Sequence, residues 1–280
     1  MNTRLFIPTM DRIGKDLSFE KLPERWAQKV TIVCPEREAI EHMCYFQFTY
    51  EWCPDILPVR DDLKGIANTR QVILDHCSDN NIDCCIMMDD DMQFYVRKEP
   101  GDWHLRYCDE EEIGDMLDLL EHWILVDGFA HAGISPRQGN NNESELYILG
   151  SRMCNFYAHN VKILEHYQLR WDDMQVMEDF NMTLKLLTLG YPNIVSFHYA
   201  WGQGSSNAPG GCSSYRTLEV QEHQANQLAE KFPRFVSTVK KKNKTGWEGM
   251  EERVDVYVQW KQALKCSGVP FELPDPLRIC

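Results

Sequence analysis

Continuous apolar runs alternate along the chain with stretches that are apolar on one side only, the rhythm of an α/β fold. Residues 4–9, 29–34 and 56–59 are short apolar runs, two of them closed by prolines, Pro8 and Pro35. Such runs read as strands. Residues 17–26 and 38–50 between them have helical character. The run from Ile82 to Met88 is the most uniform and fits a strand buried on both faces. Further strands are expected at 129–137, 150–158 and 193–197. Helices are expected at 109–126, where acids fill the first turn, in the stretch following Ala158 through Tyr167, and from Glu178 to a stop at Gly190. Residues 138–145 and 202–214 are polar or Gly/Ser-rich and read as loops.

The run at 82–88 ends abruptly in Asp89, Asp90 and Asp91. Ligands of open α/β sheets gather at the carboxyl ends of the strands, and alternate residues of an extended segment point the same way, so Asp89 and Asp91 can converge on one ion. Carboxylates this close repel one another, and oxygen-only ligands suit a hard divalent cation, Mg2+ or Mn2+. A solvated acidic turn after a core strand is the plainer alternative.

The same edge should collect other groups. Thr9 and Arg12 follow the first strand and Arg37 the second, so they would face the ligand edge, where Arg12 and Arg37 read either as partners of a base or phosphate or as solvated surface charges. Gly65 opens a helix with Asn68 and Arg70 in its first turns; the apolar side of that helix is read as Ile66, Val72, Ile73 and Cys77 with Leu74 alongside. A glycine allows close approach to the backbone, and a helix amino end with an arginine is a natural phosphate neighbour. Glu178 and Asp179 begin the next acidic helix and read either as first-turn acids or as catalytic ones. His198 leaves the strand at 193–197 and is a candidate third metal ligand.

Composition changes the picture in one respect. The formal charge is −14, yet residues 231–265 hold nine basic against four acidic side chains. That segment carries about +5, so the acidity lies elsewhere. Lys240, Lys241, Lys242 and Lys244 beside Trp247 could meet phosphates while the indole stacks on a base. The eleven cysteines are scattered, odd in number and without Cys-x-x-Cys spacing, which reads as reduced core thiols in a cytoplasmic protein. No apolar stretch approaches the ~20 residues of a membrane span, and the oligomeric state is left open.

The Gly65-Ile-Ala-Asn-Thr-Arg70 helix, the Asp89–Asp91 triplet, the Glu178-Asp179 helix start and the later His198 together resemble the GT-A glycosyltransferases over roughly residues 4–200. Ile86-Met-Met-Asp-Asp-Asp-Met92, the loop Ser205, Ser206, Asn207, Ala208, Pro209, Gly210, Gly211, and the tail from Arg253 to Lys261 with Trp260-Lys261 are similar to the TET-associated glycosyltransferases. That family is encoded largely by bacterial viruses and acts on 5-hydroxymethylcytosine in DNA. The resemblance implies an α/β, GT-A-like nucleotide-binding mixed sheet flanked by helices, with a helical and loop C-terminal extension. Residues 1–200 would form the catalytic domain, with an acceptor-side loop and basic extension at 201–280 packed on it. It implies a nucleotide-sugar donor, UDP-linked, and a divalent metal held by Asp89 and Asp91, with His198 as the late histidine. Asp90 would join Thr9, Arg12, Arg37, Gly65, Asn68, Arg70 and Asp89 around the donor; in a single displacement Asp179 would serve as base with Glu178 in reserve, whereas a retaining mechanism would need neither in that role. Arg137, the 202–214 loop and the basic tail would meet the DNA. A sugar or protein acceptor, or a degenerate binding module, are the competing functions.

Overall fold

The structure is a computed structural model that describes residues 1–15, 18–99, 103–203, 216–242 and 252–267. Four strands, Thr3–Pro8 (β1), Val30–Pro35 (β2), Asp55–Val59 (β3) and Cys84–Met88 (β4), run in parallel in the order β3-β2-β1-β4. Gln93–Arg97 (β5), Leu105–Tyr107 (β6), His131–Pro136 (β7), Tyr147–Leu149 (β8), Phe156–Asn160 (β9) and Asn193–Gly202 (β10) extend the sheet. The full order is β3-β2-β1-β4-β9-β7-β10-β5-β6, with β8 on β10. β9 opposes β4 and β7, and β10 runs with β7, so β1, β2, β3, β4, β7 and β10 all end at one edge. The sheet is therefore mixed, as expected.

The two faces of β4 divide its side chains by parity. Cys84, Ile86 and Met88 enter a core shared with Glu110–Leu125, while Cys85 and Met87 enter a second core built with Ile66–Asp79 and Glu178–Thr188. In chain order the helices are Glu24–Ala27 (α1), Ala39–Tyr50 (α2), Ile66–Asp79 (α3), Glu110–Leu125 (α4), Arg137–Asn140 (α5), Val161–His166 (α6), Glu178–Thr188 (α7), Leu218–Lys231 (α8) and Trp260–Cys266 (α9). α4 starts in a full capping box, Asp109 accepting from the Glu112 amide while the Glu112 side chain accepts from the Asp109 amide.

α7 lies between two layers. Met182 and Leu186 face the sheet, whereas Leu184 and Leu187 pack with Ala225 and Leu228 of α8, Ala263 of α9, and Val236 and Val256 of a hairpin formed by Val236–Lys242 (β11) and Glu252–Val258 (β12). Each such leucine contributes about 1.5–3 kcal/mol of burial. The helix start that carries Glu178 and Asp179 is thereby fixed from both sides.

Several expected elements come out differently. Of the helix expected at 17–26, Leu17 lies outside the described residues, and residues 18–26 form a single 3-10 turn at Phe19–Lys21 and the start of α1, because Pro23 precedes α1 without an amide to donate. The strand expected at 150–158 starts only at Phe156, since Asn155 adopts φ 63° and turns the chain. The buried side of α3 is Ala67, Arg70, Gln71, Ile73, Leu74 and Cys77, whereas Ile66 and Val72 are half-buried. α5 runs into the expected 138–145 loop, with Gln138 and Gly139 leaving helical geometry inside it, and β8 forms at Tyr147–Leu149, where no element was read.

Gly65 precedes α3 with φ 94° and ψ 153°, a region closed to side chains with a Cβ. Gly65→Ala is expected to destabilise the fold by about 1–3 kcal/mol, read as a lower urea midpoint at unchanged slope. A wild-type midpoint would show that the turn relaxes freely.

His131 and His159 are buried neighbours across β7 and β9, their ring centroids 6.1 Å apart. Burial lowers both, His131 to about 4. A histidine whose folded value lies below its unfolded one contributes stability above the unfolded value near 6.5 and loses it as pH falls. Stability should therefore decline between about pH 6.5 and 4, and a His131→Gln/His159→Gln variant should show a shallower decline by denaturant titration. An equal slope in that variant would place the acid sensitivity elsewhere.

Candidate active site

Past the end of β4 the chain turns through Asp89, Asp90 and Asp91 before β5 begins. Ser18 pins this turn: its hydroxyl donates to the Asp89 carbonyl at 2.6 Å and accepts from the Met92 amide at 2.9 Å. Its own amide donates to the Asp90 carbonyl. Ser18 was not among the residues singled out by sequence; only its folded position, distant in the chain, reveals the role.

Asp90 and Asp91 share a partner that Asp89 lacks. Asp90 is buried and accepts from the Thr9 hydroxyl at 2.7 Å and from Arg12 at 2.7 Å. Asp91 is half-exposed and pairs with the same Arg12 at 2.9 Å. Asp89 turns toward the α3 and α7 side, where Arg70 lies 3.8 Å away. Burial, reinforced by Asp91, Asp90 and Glu178, pushes the Asp89 carboxyl up to about 7 against the pull of Arg70. Asp90 is raised as well, chiefly by burial.

Arg70 does not face solvent. Its guanidinium pairs with Glu178 and stacks beside the rings of Tyr157 at 5.3 Å and Trp171 at 5.5 Å. Glu178 is buried with its carboxyl raised by desolvation, whereas Asp179 is half-exposed, accepting from the Phe180 amide at 2.8 Å. Met177, just before them, takes a left-handed φ of 62°, a conformation that costs a residue with a side chain about 1–2 kcal/mol. The packing of α7 sustains that cost and aims the acid pair at the sheet edge. Arg152, another residue not anticipated, lies over the Phe180 ring at 4.9 Å and within electrostatic reach of Asp179 and Asp255.

The structure thus brings Thr9, Arg12, Asp89, Asp90, Asp91, Arg70, Glu178 and Asp179 to one region at the carboxyl edge, with Gly65 and Asn68 at the α3 start on the same edge. Asn68 donates to the Lys64 carbonyl at 2.7 Å. Arg37 is near that edge but engaged with Glu38 at 2.8 Å, Asp61 at 3.2 Å and Asp11 at 3.4 Å. Arg137 begins α5 beyond β7 and rests over the Tyr95 ring at 4.7 Å.

His198 is not with the acids. β10 continues through it to Gly202 by shifting register between Ser196 and Ala200, so the residue lies within the strand. Its ring packs on Tyr199 at 4.7 Å and feels Arg97, Arg106 and Glu112. Among the described residues no three His, Cys, Asp or Glu side chains converge as metal ligands. Lys240, Lys241 and Lys242 are exposed at the end of β11, and Lys241 pairs with Asp255 at 3.1 Å. Ser205, Ser206, Asn207, Gly210, Gly211, Lys244 and Trp247 lie outside the described residues. Nine cysteines are free among the described residues, and there no helix is long and apolar enough to cross a membrane.

A profile of the family described as TET-Associated Glycosyltransferase matches residues 3–211. The chain belongs to this family. Two proteins named Beta-glucosyl-HMC-alpha-glucosyl-transferase are similar to it, from Enterobacteria phage T6 and Enterobacteria phage T2. Each is 23% identical and covers 81% of this chain and 80% of its own length. The mannosyltransferase PcManGT from Pyrobaculum calidifontis, solved with GDP-Man and Mn2+, superposes with a TM-score of 0.53 at 13% identity, over 83% of this chain and 64% of that one. GalNAc-T7, solved with UDP, GalNAc and Mn2+, gives 0.50 at 9% identity, over 79% and 46%. The chain spans less than two thirds of either solved protein, and the likeness is one of fold. It is a TET-associated glycosyltransferase on the GT-A fold, the architecture anticipated from the motifs.

Proposed function

We propose that this glycosyltransferase moves a sugar from a nucleotide donor, UDP-linked, to the hydroxymethyl oxygen of 5-hydroxymethylcytosine in DNA. One observation carries the reading: the acidic turn at Asp89–Asp91 and the acid pair Glu178–Asp179 meet on one sheet edge, joined through Arg70. A donor site and an acceptor-activating acid must lie side by side for direct transfer.

Asp89 and Asp91 are the residues suited to hold a divalent cation, Mn2+ or Mg2+. Such ions are commonly held by one or two carboxylates and the phosphates of a substrate, which fits an acidic turn without a third protein ligand. Burial raises the Asp89 carboxyl, and a nearby cation would favour its charged form. When bound, the ion would neutralise the diphosphate that leaves. Thr9 and Arg12 hold Asp90 in this turn, which supports reading them as the donor side, with Gly65 allowing close approach to the backbone and Asn68 near it. A primary alcohol needs a base to take its proton in a single displacement, and its half-exposed carboxylate supports Asp179 over the buried Glu178 for that role.

A second reading follows from the phage relatives, whose names specify a glucosylated HMC acceptor. On that reading the accepting hydroxyl belongs to a sugar already on the base. The test is donor consumption across a UDP-, GDP- and CMP-sugar panel with plain DNA, hydroxymethylcytosine DNA, glucosylated hydroxymethylcytosine DNA or free oligosaccharide as acceptor. Stimulation by hydroxymethylcytosine DNA supports the first reading, by its glucosylated form alone the second. Stimulation by oligosaccharide alone removes DNA from the proposal.

The exposed lysines of β11 supply a further expectation. Lys240→Gln and Lys242→Gln should each weaken duplex binding and reduce the salt slope by about one unit. Lys241→Gln should do less, because Asp255 already holds that ammonium. Donor hydrolysis without DNA should not change. Wild-type binding by a triple variant at low and high salt would make the strand end a solvated surface.

A further inference from the structure

Sequence position makes Arg70 a phosphate ligand at a helix start, but its geometry points to a different role. The side chain is 5% exposed, enclosed by Tyr157 and Trp171, and faces Glu178, which is itself 7% exposed. Asp89, on the other side, is 3.8 Å away and 26% exposed. One Nη donates to Glu178, the other stands at ion-pair distance from Asp89, and Nε is buried without a partner, so the group is held inside between the two carboxylates rather than presented to a diphosphate. It does have one property that no other described cation at the edge shares: it touches both the turn after β4 and the start of α7.

We propose that Arg70 is a positioning residue, the shared counter-ion that sets the distance between the Asp89 turn and the Glu178–Asp179 helix start, with Glu178 as its anchor and Asp179 left to face the acceptor. The inference rests on the reading of Asp89 and Asp179 as the donor-side and acceptor-side acids. Its physical basis is that two acidic segments on separate elements repel, and a fork of donors fixes their geometry where a point charge would not. Met177 shows the strain that this register requires, since its left-handed turn delivers Glu178 to the guanidinium. The Asn181 backbone N–H donates to the Met177 carbonyl at 2.9 Å, continuing the helix from this turn. The assignment also separates the two helix-start acids: Glu178 is buried in an ion pair and unsuited to meeting an acceptor, whereas Asp179 is half-exposed.

Four variants test this: Arg70→Lys, Arg70→Met, Glu178→Gln, and the Arg70→Met/Glu178→Gln double variant. Arg70→Met alone leaves Glu178 buried without a partner and risks misfolding; the double variant removes both charges and keeps the measurement possible. The double variant is expected to melt near wild type yet lose about a hundredfold or more in kcat, with Kd for the nucleotide diphosphate and Mn2+ changed less than about tenfold. Glu178→Gln should lose less than the double variant, and Arg70→Lys should recover part of what Arg70→Met loses. The effects of Arg70→Met and Glu178→Gln should be far from additive. A crystal structure of the double variant should show the Asp89 and Asp179 carboxylates displaced from their wild-type separation. The proposal is overturned if those carboxylates stay in place, if losses multiply, or if the variants weaken diphosphate binding with kcat unchanged, the signature of a phosphate ligand. Donor hydrolysis by water and the crystal structure do not involve DNA. Should DNA prove not to be the acceptor, the Arg70 effects would persist in both; should Arg70 be irrelevant, wild-type transfer to DNA would persist without them.

Discussion

Asp91→Asn is expected to reduce sugar transfer by about a hundredfold or more at low metal, because removing one charge from an electrostatic clamp on a departing diphosphate costs that order. Asp89→Asn should do nearly the same. Both variants should fold. Asp91 is half-exposed, and its partner Arg12 keeps a second bond to Asp90 at 2.7 Å. In Asp89→Asn the ion pair with Arg70 at 3.8 Å is lost, but Arg70 keeps Glu178, and the Asp89 charge is one that burial already disfavours. Excess Mn2+ should restore part of the rate in each, since weaker binding is offset by mass action. The check is initial rate in chelator-treated buffer against added Mn2+. Full activity of both variants under those conditions would remove the triplet from the mechanism.

Asp179→Asn should lower kcat by about 10²–10⁴-fold, the range for losing a general base. Donor affinity should barely change, because a base acts on the acceptor proton in the transition state. Rapid-mix single-turnover kinetics separates the chemical step from binding and release. An unaltered single-turnover rate would reduce Asp179 to a first-turn acid whose carboxylate serves only its own helix.

The parts of the fold that were legible beforehand are those in which local pattern and tertiary environment agree. β4 is buried at every position and reads so in the sequence. α4 carries its own capping box, and α7 stops before Gly190 at φ 95°. The misread parts depend on contacts distant in the chain. β8 consists of three half-buried residues that exist as a strand only by pairing with β10. Arg70 looks like a phosphate neighbour at a helix start until Glu178, more than a hundred positions away, enters its face.

The candidate site shows the same division. The acidic turn and the acid pair stand out by position, the first following a run that reads as buried on both faces and the second opening a helix that stops at a glycine. Their separation from His198 could not be read, since a strand that shifts register and continues looks the same in sequence as one that has ended. Ser18 and Arg152 carry no local signal at all. A lone serine and a lone arginine acquire roles only when the fold places them at the turn and over Phe180.

The most direct measurement is nucleoside mass spectrometry of hydroxymethylcytosine DNA after incubation with chelator-treated enzyme and the nucleotide-sugar panel, with and without added Mn2+ or Mg2+. The expected result is a hydroxymethylcytosine nucleoside heavier by one sugar for at least one donor, with cation present and not without it. Unmodified nucleoside under every donor and cation, or the same yield of sugar after chelation, would contradict metal-dependent transfer to this base.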